Sequence, residues 1–309
     1  MAIATPETNV NFMRVAKPLG ILSIVLVLAS IFLLATRGLN FGLDFTGGTV
    51  VEVGAPEDIS LSVVRDALGE GGYGAAVVQH FGSSRDVMVR IPPDGADEPD
   101  QAGLQVFEMV GAVVPDLELR RVEFVGPQVG DELRDQSGLA MLMAMGLMLL
   151  YVWFRFTNKF GVATVAALLH DVIVVLGLFA LFQWSFDLTV LAAVLALIGY
   201  SLNDSIVVAD HIRDDFRNSR MTDTTDIINQ ALNRTLSRTV ITSLTTLLVL
   251  VALYFFGGEI MRGFSMALMA GVVIGTYSSI YVASNVLMLM KVEKEDFLVP
   301  QQEELDEMP

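Results

Sequence analysis

Six apolar runs dominate the chain: residues 19–35, 138–154, 160–182, 188–209, 240–256 and 264–290. A membrane-crossing helix needs about 20 predominantly apolar residues. In hydrocarbon, backbone N–H and C=O groups have no water to bond, so a spanning segment becomes a helix that satisfies them internally. Six such runs specify a polytopic α-helical membrane protein. Composition agrees, with only 17% charged residues against about 25% in ordinary soluble domains. A cleaved leader competes for the first run. Its length, and the lack of a small-x-small site before Arg37, favour an uncleaved anchor.

Between the first two runs lies an insert of domain size, residues 37–137. Its pattern alternates. Residues 49–53 read as a strand. Residues 59–68 read as a helix, with Asp58 or Ser60 as cap and Gly69 as stop. Residues 75–81 and 87–91 read as strands parted by a Gly82-Ser83-Ser84 turn. Residues 98–113 read as a helix and 117–125 as a last strand. The order βαββαβ is that of a ferredoxin-like α+β domain. The expected layout is therefore an N-terminus (1–18), helix 1 (19–36), the ferredoxin-like domain (37–137), helices 2–6 (138–290) and an acidic tail (291–309).

Basic residues orient the helices. Arg155 and Lys159, then Arg213, Arg217, Arg220 and Arg234, then Lys291 and Lys294 fall on one side. The opposite loops, 183–187 and 257–262, hold one basic residue. By the positive-inside rule both termini are cytoplasmic and the insert is extracytoplasmic. The linker 223–238 starts with Asp223 as a helix cap and leads along the membrane surface or straight into the fifth span.

Several chemistries find no support. A net charge of −16 argues against nucleic acid binding. With no cysteine there is no disulfide and no thiolate site. The Gly42–Gly48 stretch is glycine-rich but lacks the lysine of a phosphate loop, so no nucleotide site is expected. Three scattered histidines make neither a hydrolytic constellation nor a metal site. The expectation is a non-enzyme without cofactor or metal.

Polar residues inside the spans are the candidates for function. A carboxylate at the bilayer centre costs roughly 2.5–3.5 kcal/mol on insertion scales, and such residues by default mark a pathway. Asp204 lies within the fourth run, on one helical face with Leu197, Tyr200, Val208 and His211. Asn203 sits about 100° round. His170 and Asp171 lie near the middle of the third span and, being adjacent, are expected to point to different sides, as a proton relay or as packing. Arg238 precedes a hydroxyl stripe, Thr239, Thr242, Ser243, Thr245 and Thr246. It reads either as counter-ion to a carboxylate or as a positive-inside anchor. Tyr277, Ser278, Tyr281 and Asn285 share a face near Gly271 and Gly275 and read as packing.

FGLDFTGGTVVEV after the first span, LLHDVIVVLGLFAL in the third, GYSLNDSIVVADHIRDDFR in the fourth and LNRTLSRTVITSLTTL into the fifth resemble the SecF family of protein-export membrane proteins, in order along nearly the whole chain. The resemblance implies a resistance-nodulation-division type of membrane protein in a bacterial inner membrane. Its implied partners are SecD, the SecYEG channel and the translocating preprotein, with export promoted by the proton gradient. It makes Asp204 the intramembrane acid and Arg238 the motif arginine of proton coupling. Asn203, His170 and Asp171 receive less definite roles. Ser205 and Ala209-Asp210-His211 stand where the family often has Thr and Phe-Asp-Arg. A drug- or lipid-exporting half-transporter and a passive scaffold subunit are the competing expectations.

Overall fold

The computed structural model describes residues 10–93, 99–156, 158–218 and 223–293. A 3₁₀ turn (Phe12–Val15) leads into α1 (Ala16–Thr36). Then come β1 (Asn40–Phe41), α2 (Leu43–Thr46), β2 (Gly48–Gly54), α3 (Leu61–Glu70), β3 (Val77–Phe81), β4 (Ser83–Ile91), α4 (Pro99–Gly111) and β5 (Glu118–Val125). The remaining chain is α5 (Pro127–Arg155), α6 (Asn158–Phe182), β6 (Ser185–Phe186), α7 (Leu188–Asn218), α8 (Thr224–Phe256) and α9 (Glu259–Leu289). Six helices are long and apolar enough to cross a membrane. The described residues divide into two compact units. One holds the residues up to Gly38, Ala144–Gln183 and those from Ala192 onward; the other holds Leu39–Met143 and Trp184–Leu191.

In the second unit the sheet order is β3-β4-β2-β5, with every pair antiparallel. The first and second strands of the domain are thus parallel but separated by the third, which is the split βαβ arrangement. Alternate residues point to one face of a strand. Val51 and Val53 of β2 pair with Val89 and Val87 of β4, and all four are buried. Val64 and Leu68 of α3, and Ala102, Val106 and Val110 of α4, repeat at helical spacing and close the same core. The turn between β3 and β4 is tighter than its sequence suggests. β4 already begins at Ser83, and Gly82 takes φ +79°. The expected start of α4 at Glu98 falls outside the described residues.

The glycine-rich join has a definite geometry. Gly47 and Gly48 take φ +65° and +110°, a region open to glycine at no steric cost. A Cβ on Gly48 would stand 2.3 Å from the Ile91 carbonyl oxygen. Just before it, β1 pairs in parallel with β6. Asp44 of α2 accepts the Leu188 N–H at 3.0 Å, and Asp187 accepts the Val190 N–H at 2.9 Å. Two carboxylates therefore satisfy the first turn of α7, where N–H groups lack intrahelical partners.

In the first unit α6 packs on α1 and α9, and α9 also on α8. Small residues allow the approach. A Cβ on Gly177 of α6 would meet Ser30 Oγ of α1 at 2.2 Å, and one on Gly271 of α9 would meet Leu197 of α7 at 2.5 Å. The apolar spans of α6, α7 and α9 are half or more buried, whereas α1, α5 and α8 leave most of theirs exposed. Three helices outrun their apolar runs. α5 begins at Pro127, a residue suited to a first helical position. α7 continues to Asn218, with Asp210 paired to Arg155 and Arg213, and Asp215 to Arg234. α8 begins at Thr224, capped by Asp223, so the linker runs straight into the fifth span.

Candidate functional site

The polar side chains of α6, α7, α8 and α9 collect into two carboxylate centres. Asp204 of α7 is half-buried and accepts from two other helices. Thr239 Oγ1 of α8 donates to Oδ1 at 2.8 Å, and Ser279 Oγ of α9 donates to Oδ2 at 2.6 Å. One helical turn earlier on α7, Tyr200 donates to Ser243 of α8 at 3.1 Å. Ser243 joins Thr276 of α9 at 2.7 Å, and Thr276 donates to the Val272 carbonyl at 2.7 Å. Two polar layers are thus stacked along the same three helices: Tyr200–Ser243–Thr276 and Asp204–Thr239–Ser279.

Asp171 of α6 forms the second centre and is 0% exposed. Its Oδ2 accepts from Ser201 Oγ of α7 at 2.5 Å and Ser278 Oγ of α9 at 2.8 Å. Its Oδ1 lies 2.9 Å from His170 Nδ1. Gly275 makes room for it: a Cβ there would touch Oδ2 at 3.4 Å. His170 and Asp171 therefore do not point apart. Successive positions differ by about 100° round the axis, but a turned imidazole reaches its neighbour's carboxylate.

Other candidates stand elsewhere. Arg238 is exposed on α8 and makes no ion pair or hydrogen bond among the described residues. Its neighbour Thr239, not the guanidinium, touches Asp204. Asn203 is exposed and joins neither centre. His211 is exposed, its Nδ1 on the Val207 carbonyl. Within the hydroxyl stripe, Thr245 and Thr246 bond back to their own helix, as hydroxyls in membrane helices commonly do. Thr239 and Ser243 reach across instead. Tyr277 and Asn285 pack α9 on α1, donating to the Leu19 and Ala16 carbonyls. Ser278, read from sequence as packing, serves Asp171. Ser201 and Ser279 carried no signal of their own, because a serine that bonds across looks the same as one that bonds back. No group of three or more His, Asp or Glu side chains suited to a metal ion occurs among the described residues.

Residues 105–293 match the family model described as protein export membrane protein SecD/SecF, C-terminal, and residues 32–55 match that of the SecD/SecF GG motif. The protein translocase subunit SecF of Vibrio alginolyticus is 46% identical, across 99% of each chain. That of Pseudomonas aeruginosa is 47% identical, across 97% of this chain and 98% of the relative. The chain belongs to the SecF family. Among solved structures, SecDF of Thermus thermophilus, a translocon-associated membrane protein, superposes with a TM-score of 0.83 at 38% identity. The match covers 94% of this chain but only 40% of that longer one. Membership carries a role in Sec protein export and a multi-pass membrane location. The family's GG motif covers the glycines that turn the chain into β2.

Proposed function

We propose that this SecF-family chain works with SecD beside the SecYEG channel, converting the proton gradient of a bacterial inner membrane into work on a translocating preprotein. It does so as a non-enzymatic subunit, with Asp204 as the proton-carrying group and Arg238 as the cation that answers its charge. Both termini are cytoplasmic and the ferredoxin-like domain is extracytoplasmic, by the distribution of arginine and lysine. On that orientation the Tyr200–Ser243–Thr276 layer lies on the extracytoplasmic side of Asp204, and Arg238 on the cytoplasmic side. The observation that carries the reading is an acid inside a membrane helix that, among the described residues, is held by hydroxyls of two neighbouring helices.

Hydroxyl geometry supplies the switch. Ionised Asp204 accepts from both Thr239 and Ser279. When it binds a proton, it loses acceptor capacity and gains a donor. Ser279 has a second acceptor, the Thr276 carbonyl at 3.1 Å, and can turn to it. Thr239 has no second acceptor among the described residues, so the α7–α8 contact takes most of the change. α8 is also the helix that carries Arg238, the residue just before Thr239, and the charged state of Asp204 gives that cation an anion to answer. Moving one charge through about 100 mV is worth about 2.3 kcal/mol, a shift of about fifty-fold in a two-state equilibrium. That suffices to bias two packings of nearly equal energy. α7 begins at the residues capped by Asp44 and Asp187, so a displacement of this helix is felt where the soluble domain joins it.

The test is preprotein export into inverted membrane vesicles containing the chain and SecD, with and without a proton gradient. Asp204→Asn is expected to insert normally and to lose the gradient-dependent component. Arg238→Ala is expected to lose most of it. Wild-type stimulation in Asp204→Asn would refute the coupling role.

A further inference from the structure

The second carboxylate centre has no part in the scheme above, yet it is deeply buried in the bundle. Asp171 is 0% and His170 4% exposed. Two hydroxyls donate to Asp171, Ser201 Oγ and Ser278 Oγ, and His170 Nδ1 lies 2.9 Å from its other oxygen. A buried anion of this kind needs a compensating positive charge. No lysine or arginine pairs with it among the described residues, and His170 is its one ion-pair partner there. The other ring nitrogen, Nε2, is buried with no hydrogen-bond partner. A buried polar atom left unpaired is costly, and here it stands on the ring that contacts Asp171.

We propose that His170 and Asp171 form a second proton-carrying site. Asp171 stays ionised, and the imidazole gains and loses one proton at Nε2 while Nδ1–H keeps its bond to Oδ1. Binding the proton takes the pair from a net charge of −1 to zero; release restores the anion. The surroundings leave this to the imidazole. On its own helix the facing ionisable group is Asp171. From α9 come the Tyr277 ring, 6.1 Å between centroids, and beyond it Tyr281. Tyr277 spends its O–H on the Leu19 carbonyl of α1, and α1 adds the hydroxyl of Ser23. From α7 comes Ser201, with Asp204 one turn further along.

This site rests on the reading of Asp204 only for its use in transport. The link is physical. Consecutive serines of α9 serve the two acids, Ser278 on Asp171 and Ser279 on Asp204, and each has a backbone carbonyl three residues back as its alternative acceptor. On α7, Ser201 donates to Asp171, and Asp204 lies three residues further along the same helix. A charge change at either centre therefore acts on the same pair of helices.

The chain has three histidines, and the other two, His80 and His211, are exposed. In the full-length double variant His80→Gln/His211→Gln, nitrogen-15 histidine NMR in liposomes reads His170 alone. Between pH 5 and 9 the spectrum is expected to interconvert reversibly between a form protonated on both nitrogens and one protonated at Nδ1. Asp171→Asn is expected to abolish the doubly protonated form. A single unchanging tautomer across that range, or an imidazole unaffected by Asp171→Asn, would overturn the proposal. His170→Gln is expected to weaken gradient-driven export. Normal export by Asp204→Asn alongside a titrating His170 would strike the reading of Asp204 and leave this site standing.

Discussion

At the scale of single residues, the proposed coupling turns on two hydroxyls that bond Asp204 from neighbouring helices. Thr239 and Ser279 differ, since Ser279 has the Thr276 carbonyl within reach and Thr239 has no such alternative among the described residues. Thr239→Val is therefore expected to cost about 1–3 kcal/mol, the penalty for leaving an oxygen of the half-buried Asp204 unpaired. It should appear as a lower melting temperature of the detergent-solubilised chain, with Thr239→Ser restoring it. An unchanged melting temperature would mean that water replaces the threonine. Asp204 was legible in the sequence because a charge in an apolar run is conspicuous. Its donors were not, since serines and threonines recur along every span and only tertiary packing decides which ones bond outward. The same limit hid the His170–Asp171 contact, which depends on a side-chain torsion rather than on helical phase.

At the scale of elements, apolar periodicity located all six spans but stopped at the edge of the hydrophobic run. α5, α7 and α8 extend past it because caps and ion pairs sustain a helix where hydropathy is silent. The ferredoxin-like order was readable from alternation and turn residues. The parallel β1–β6 pair was not, since two residues on each side give no pattern. Two substitutions test the join it makes. Gly48→Ala forces a Cβ to within 2.3 Å of a carbonyl oxygen at φ +110°. It is expected to expose residues 39–143 of the intact chain to limited proteolysis. Asp44→Ala removes one cap of α7 at a cost of about 0.5–2 kcal/mol. It is expected to lower the melting temperature modestly and to weaken gradient-driven export more than a surface substitution such as Asp66→Ala. Equal effects of the two would mean that the cap is structural only.

For the whole molecule, the proposed conversion belongs to the six membrane helices. The buried share of α6, α7 and α9 suits the proposed conversion, with the two acids linked through α7 and α9 and Arg238 exposed on α8. The exposed apolar faces of α1, α5 and α8 suit lipid and a membrane partner. Proton flux into liposomes holding this chain with SecD, followed by an internal pH-sensitive dye under an imposed gradient, measures the conversion at its first step. Flux that is present in the wild type and absent in Asp204→Asn is the predicted result. Flux in Asp204→Asn equal to that of the wild type would contradict it.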